Sequence, residues 1–223
     1  MEEYRVNHVR FKVLVFLAAI AAFGVIPVSN VQANIHRFYF DIFTENGPYC
    51  DDPRLNMYME VSNGEPEVVD FTFYNISTIG SSLAKIYFDD GVLLNIATIT
   101  NGPGTVFEQG ASGANLPGGN LIGFVADREF TIGADPPPSQ NGVNPAEPPE
   151  WVKIRFNLDT GSDMEDVIAE LYTGELRVGI HIISIDNLTG GSYSESALAV
   201  IPEPATLSLL AIGAAALLRK RKS

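Results

Sequence analysis

From Asn34 onward, apolar and polar residues alternate with a period of two. That is the pattern of strands with one buried face. Residues 35–43, 56–61 and 68–75 read as three strands, stopped by Asn46-Gly47-Pro48 and Ser62-Asn63-Gly64. Residues 83–88 and 92–99 read as two more, with Asp89-Asp90-Gly91 as the strongest hairpin signal in the chain. Residues 101–120 hold six glycines and two prolines and predict a long loop, with a short strand near 105–108. Strand candidates follow at 121–125 and 129–132. Six prolines between 135 and 150 predict an extended surface loop. Residues 151–158 alternate most cleanly: Val152, Ile154, Phe156 and Leu158 share one face, with Lys153, Arg155 and Asn157 on the other.

One helix interrupts the strands. Ser162 and Glu165 form a capping-box pattern. Val167, Ile168 and Leu171 supply an apolar stripe, and Gly174 suits the position past the end. Residues 176–185 resume as a strand, and 193–200 read as a closing strand or a stalk. Eight or nine short strands with one small helix predict an all-β fold, an antiparallel β-sandwich or a jelly roll, over residues 34–200.

The two ends of the chain break this pattern. At the front, Arg5, Arg10 and Lys12 precede an apolar run at 13–26, and Pro27 ends it. Val31-Gln32-Ala33 then presents small residues where a signal peptidase reads, which predicts a leader over 1–33 cleaved after Ala33. At the back, Pro202-Glu203-Pro204 precedes an uncharged segment, 205–218, and the cations Arg219, Lys220, Arg221 and Lys222. Two prolines keep a helix from running through the first part. The apolar segment suits a helix in lipid, where the backbone must satisfy itself. Four cations in a row mark a cytoplasmic end. The apolar segment would be roughly 21 Å long as a helix, against about 30 Å of bilayer core. That shortness suits a sorting signal better than a lasting anchor.

Pro202-Glu203-Pro204-Ala205-Thr206-Leu207, the apolar run and Arg219-Lys220-Arg221-Lys222 together resemble the PEP-CTERM sorting domain of bacterial exported proteins. The resemblance covers 201–223. It implies recognition by an exosortase-type membrane protease, and delivery to the cell surface or extracellular matrix, often beside exopolysaccharide synthesis. It implies nothing about residues 34–200.

Charge narrows the choice of partners. Residues 34–201 carry seven Lys and Arg against 24 Asp and Glu, a net of −17. Such a field repels nucleic acid and anionic lipid. Cations or a hydrated polysaccharide are easier neighbours. Cys50 is the single cysteine, so no disulfide forms within one chain and packing must supply stability. A lone thiol in an exported protein either pairs with a second molecule or lies buried and inert.

Candidate chemistry is sparse. Asp159-Thr160-Gly161-Ser162 resembles the aspartic-protease signature, which needs a second copy to share a proton. The chain has none, and the segment reads as a strand-to-helix turn. Calcium takes six to eight oxygens. Asp51-Asp52 and Asp89-Asp90 are weak candidates to contribute to such a site; hairpin chemistry is the plainer reading. His36 and His181 lie on separate strands. Trp151 and the tyrosines offer aromatic surface to sugars, or simply pack. The sequence therefore predicts a non-catalytic exported surface or matrix protein without a cofactor, calcium being the one ion it admits. The alternative is a glycan- or calcium-binding module on the same scaffold, and the less favoured one a secreted carbohydrate-active enzyme.

Overall fold

A computed structural model describes residues 34–50, 52–63, 65–89, 91–185 and 192–200. The ten strands are β1 (Ile35–Ile42), β2 (Met57–Ser62), β3 (Val68–Asn75), β4 (Ser82–Asp89), β5 (Leu93–Asn101), β6 (Phe107–Gln109), β7 (Ile132–Ala134), β8 (Trp151–Leu158), β9 (Arg177–Ile185) and β10 (Tyr193–Val200). They form one sheet in the order β5-β8-β3-β2-β1-β10-β9-β4-β7-β6, with every neighbouring pair antiparallel. The all-strand expectation holds. The expectation of two stacked sheets does not: a single sheet curls almost into a barrel.

The connectivity forces that curl. Laid flat, ten strands would span roughly 43 Å at about 4.8 Å per step. Yet the outermost strands, β5 and β6, are joined by residues 102–106 alone, a tether that reaches about 20 Å when fully extended. Asn101 completes the approach. Its Oδ1 accepts from the Phe107 amide at 2.8 Å, and its Nδ2 donates to the Phe107 carbonyl at 3.3 Å. One side-chain amide thus stands in for a strand partner where the edges meet.

The interior is aromatic. Phe71 and Phe73 of β3 and Phe156 of β8 point inward, as the alternation predicts, and are fully buried. Phe88 meets them from β4, which lies on the other side of the curled sheet. Its ring sits 4.8 Å from Phe156, 5.1 Å from Phe71 and 6.4 Å from Phe73, edge to face in each case. Phe130 adds a further edge-to-face contact to Phe156 at 5.3 Å.

Two helices serve the ends. The short α1 (Pro138–Asn141) lies in the proline-rich segment. That segment is pinned rather than extended: Val143 is buried and exchanges two 3.0 Å backbone hydrogen bonds with Leu83. The longer α2 (Met164–Thr173) closes the end where β8 finishes and β9 starts, burying Met164, Val167, Ile168 and Leu171. Its capping box lies one residue beyond the expected one. Asp163 accepts from the Glu165 and Asp166 amides, and Asp166 reaches back to the Asp163 amide at 3.0 Å. Gly174 ends the helix with φ +78.

Three local expectations fail for tertiary reasons. The Asp-Gly turn after β4 makes no hairpin: β4 pairs with β9 and β7, and β5 with β8. The turn is fixed instead by α2 and β9. Glu170 accepts from the Val92 amide at 2.8 Å. A Cβ at Gly91 would lie 2.8 Å from Glu170 and 2.9 Å from Leu176. Residues 121–125 form no strand; Leu116 before a 3-10 turn (Gly119–Ile122), and Phe124 and Ala126 after it, pack with Tyr87 on the outer face of the sheet. Gly179 makes this possible, since a Cβ there would lie 2.5 Å from Leu116. Residues 129–132 are likewise mostly a 3-10 turn (Arg128–Phe130), and the strand there is only β7.

β10 is a true strand, seated between β1 and β9. It runs antiparallel to β1, with Val200 opposite Tyr39, so at Val200 the chain is heading back along β1 toward Asn34 and α2. The Asn34 amide lies 3.4 Å from Glu165 on that helix. The expected leader (1–33) and apolar tail (205–218) lie outside the described residues. Among the described residues no helix is long and apolar enough to cross a membrane.

Phe88→Ala removes the ring that joins the two sides of the sheet and leaves a cavity. The expected cost is about 3–5 kcal/mol of stability, measured as a lowered midpoint in urea with an unchanged slope.

Candidate functional site

The expected sorting residues Pro202, Glu203 and Pro204, the basic stop Arg219–Lys222 and the cleavage residue Ala33 lie outside the described residues, as do Asp51 and Asp90. The other two acidic candidates are placed. Asp52 lies in the loop between β1 and β2 and is gripped by Arg54 through Nε at 2.9 Å and Nη2 at 2.5 Å. That guanidinium, with the Arg54 amide, holds the Asp52 carboxyl down at about 2. Asp89, at the end of β4, accepts from Arg177 and from the Val125 amide. Each carboxylate already has a cation, and each pins a turn. Among the described residues no three His, Cys, Asp or Glu side chains gather as a metal would require.

The β1–β2 loop forms an open cleft of about 790 Å³, lined by Glu45, Gly47, Pro48, Cys50 and 52–54. Cys50 is half-buried there, with its sulfur 3.7 Å from the Ile42 carbonyl. The loop is fastened from below by Glu195 of β10, which is fully buried. Its Oε2 accepts from the Thr44 hydroxyl at 2.6 Å and from the Asn46 amide at 3.2 Å, while Oε1 has no hydrogen-bond partner in the structure. Thr44 Oγ1 also accepts from the Ser196 amide at 2.8 Å. Nothing in the sequence pattern distinguishes Glu195, because its neighbours in Ser194-Glu195-Ser196 look like a solvated stretch.

Asp159 to Ser162 is a turn, as expected: the Ser162 amide bonds to the Asp159 carbonyl at 2.9 Å and Gly161 has φ +89. His36 and His181 are not cross-strand neighbours. His36 faces Val61 of β2, whereas His181 of β9 lies between Ser196 of β10 and Lys85 of β4. Burial, and secondarily the Lys85 ammonium, pushes the His181 imidazole down to about 4.

The outer face of β1, β2, β3 and β8 is different in kind. Antiparallel register places Tyr39 opposite Tyr58, Tyr58 opposite Tyr74, and Tyr74 opposite Trp151. Four aromatic residues therefore form one row across four strands. The Tyr58 and Tyr74 rings stack at 4.9 Å and 21°, and Tyr39 tilts against Tyr58 at 5.9 Å. Arg37 reaches over Tyr58 from β1, 4.2 Å from the ring centre. Trp151 leans the other way: a Cβ at Gly102 would lie 2.7 Å from the indole, so only glycine leaves room for it. Partial burial raises the phenol pKa of both Tyr58 and Tyr74 above the usual value, so both stay protonated donors near neutrality.

The adjoining rows are ionic. Arg37 pairs with Glu60 at 2.6 Å. Asp70, itself nearly buried, takes Arg155 through both oxygens at 2.7 and 2.8 Å, with Lys153 at 3.8 Å. Each of these three cations faces a carboxylate.

A family model for the PEP-CTERM protein-sorting motif matches residues 200–222, beginning at the last residue of β10; no other domain is recognised. The C-terminal tail carries that sorting motif, which implies processing by an exosortase during export and sorting to the cell surface. No curated protein and no solved structure matches the chain.

Two measurements bear on this geometry. Thr44→Val deletes the hydroxyl shared by Glu195 and the Ser196 amide, leaving both short of a partner; the expected loss is about 1–3 kcal/mol in urea unfolding. His181 is neutral when folded down to about pH 4 and titrates near 6.5 when unfolded, so between these values the unfolded chain binds more protons and stability falls as pH falls. Unfolding at pH 7.5 and pH 5 should show a loss on the order of 1–2 kcal/mol that the His181→Gln variant lacks.

Proposed function

We propose that this chain is a non-catalytic protein of the bacterial cell surface or extracellular matrix. Signal peptidase releases it after Ala33. The segment 205–218 holds it in the membrane for a time, with Arg219–Lys222 as the stop. An exosortase-type protease then acts at Pro202-Glu203-Pro204. The observation that carries this reading is the PEP-CTERM match at 200–222, which starts where β10 ends. Physical chemistry supports it. A protease needs an extended chain free of the sheet, and Pro202 and Pro204 have no N–H with which to prolong β10 along β1.

The carboxylates support a passive body. A glycoside hydrolase usually needs paired carboxyl groups facing its substrate. Here Asp52, Asp70 and Asp89 are each engaged by arginine, and Glu195 fastens a loop.

Cell fractionation tests the reading. The full chain is expected in the surface or matrix fraction, with mass spectrometry showing a mature protein that begins at Asn34 and ends near residue 203. The same chain lacking 202–223 is expected to miss that fraction. Equal delivery of both chains, or a mature protein that still ends at Ser223, overturns the proposal.

A further inference from the structure

We infer that the row formed by Tyr39, Tyr58, Tyr74 and Trp151 is a docking strip for an uncharged, extended polysaccharide. This rests on surface delivery only for its setting, and binding is measured separately from sorting.

Three properties of the row point to that ligand. The first is its length and step. Neighbouring strands lie about 4.8 Å apart, so four residues in one row span roughly 14 Å, with a new side chain at nearly the spacing at which an extended sugar chain presents successive rings. The second is its chemistry. A sugar ring is apolar on its C–H faces and polar round its rim. Tyr and Trp match that duality, each an apolar body with a polar handle. The Tyr58 and Tyr74 rings stack on each other, and their hydroxyls stay protonated and so can both donate and accept. Trp151 and Tyr39, at the two ends, supply apolar surface: Tyr39 is 43% exposed, and Trp151 lies against Gly102 while remaining partly exposed.

The third property is charge, and it decides between polymers. The segment 34–201 carries −17, which repels an acidic polysaccharide at long range. The cations beside the row are not free to reverse that, because Arg37 pairs with Glu60, and Arg155 and Lys153 share Asp70. What the strip offers is neutral hydrogen bonding beside aromatic surface.

Packing by itself does not account for the row. The inward-facing Met59, Phe71, Phe73, Val152, Ile154 and Phe156 of these strands are already fully buried. The outward rings add cross-strand contacts, but the pairing of Tyr with Tyr and Tyr with Trp continues unbroken over four strands.

Trp151 is the single tryptophan, so its emission reports on the strip directly. The full chain, purified in detergent, is titrated with β-1,4- and β-1,3-linked glucose hexamers and with an oligogalacturonate. A saturable shift of emission with a neutral hexamer is expected, weakened at least tenfold in Tyr58→Ala and measurably in Tyr74→Phe, which removes one hydroxyl. Thr98→Ala, on β5 away from the row, should leave the affinity unchanged, and melting temperatures check that the variants are folded. No emission change with either neutral hexamer overturns the inference. So does equal affinity in Tyr58→Ala, or binding confined to the galacturonate. A chain that binds glucan but fails to reach the surface overturns the sorting proposal alone.

Discussion

The structure depends on phenylalanine rings meeting across the inside of a curled sheet. Phe88 comes from β4, whereas Phe71 and Phe156 come from the paired strands β3 and β8, neither of which neighbours β4 in the sheet. Their edge-to-face contacts fix how tightly the sheet can roll, since interiors pack to near-crystalline density and tolerate few voids. Rolled any further, the rings would collide; rolled less, they would part and expose apolar surface. The other closures follow from that radius. Residues 102–106 bridge β5 and β6, the Asn101 amide ties the two edges, and α2 plugs one end with four apolar side chains.

With the inside filled by apolar rings, polar groups that remain buried act as fasteners. Glu195 is the clearest instance. It lies among core residues, and its oxygen collects a hydroxyl and an amide from the β1–β2 loop. Asp89 collects Arg177 and the Val125 amide, holding the long outer loop against β4. A charge-assisted bond is worth more in such a setting than at the surface. In a chain with so many carboxylates, Arg37, Arg54, Lys153, Arg155 and Arg177 each face a specific anion rather than forming a basic patch.

Much of the architecture was legible along the chain, and the misses share one cause. Residues 68–75 and 151–158 are strands as the alternation predicts, because each turns an apolar face to the core and mostly polar side chains to the other side. The Asp89-Asp90-Gly91 turn misled because a hairpin signal is local, whereas β4 finds longer partners in β9 and α2 supplies the hydrogen bond that a hairpin would have closed. Residues 121–125 misled because Ile122 and Phe124 cover the outer face of the sheet instead of pairing as a strand, while Leu121 and Val125 stay exposed. The candidate strip shows the same limit: each tyrosine reads alone as an outward residue, and only the register sets Tyr39, Tyr58, Tyr74 and Trp151 side by side.

The sequence by itself determined the address and the strand content. Both are short-range properties: a proline motif, an apolar run and a basic stop are read by their order, and alternation is read by its period. Tertiary structure alone decided that the strands make one curled sheet instead of two stacked ones, that the acidic turns are held by arginines, and that four aromatic residues share a row. Those outcomes depend on which distant segments bury surface together, and the free energy of that choice is spread over contacts between residues far apart in the chain.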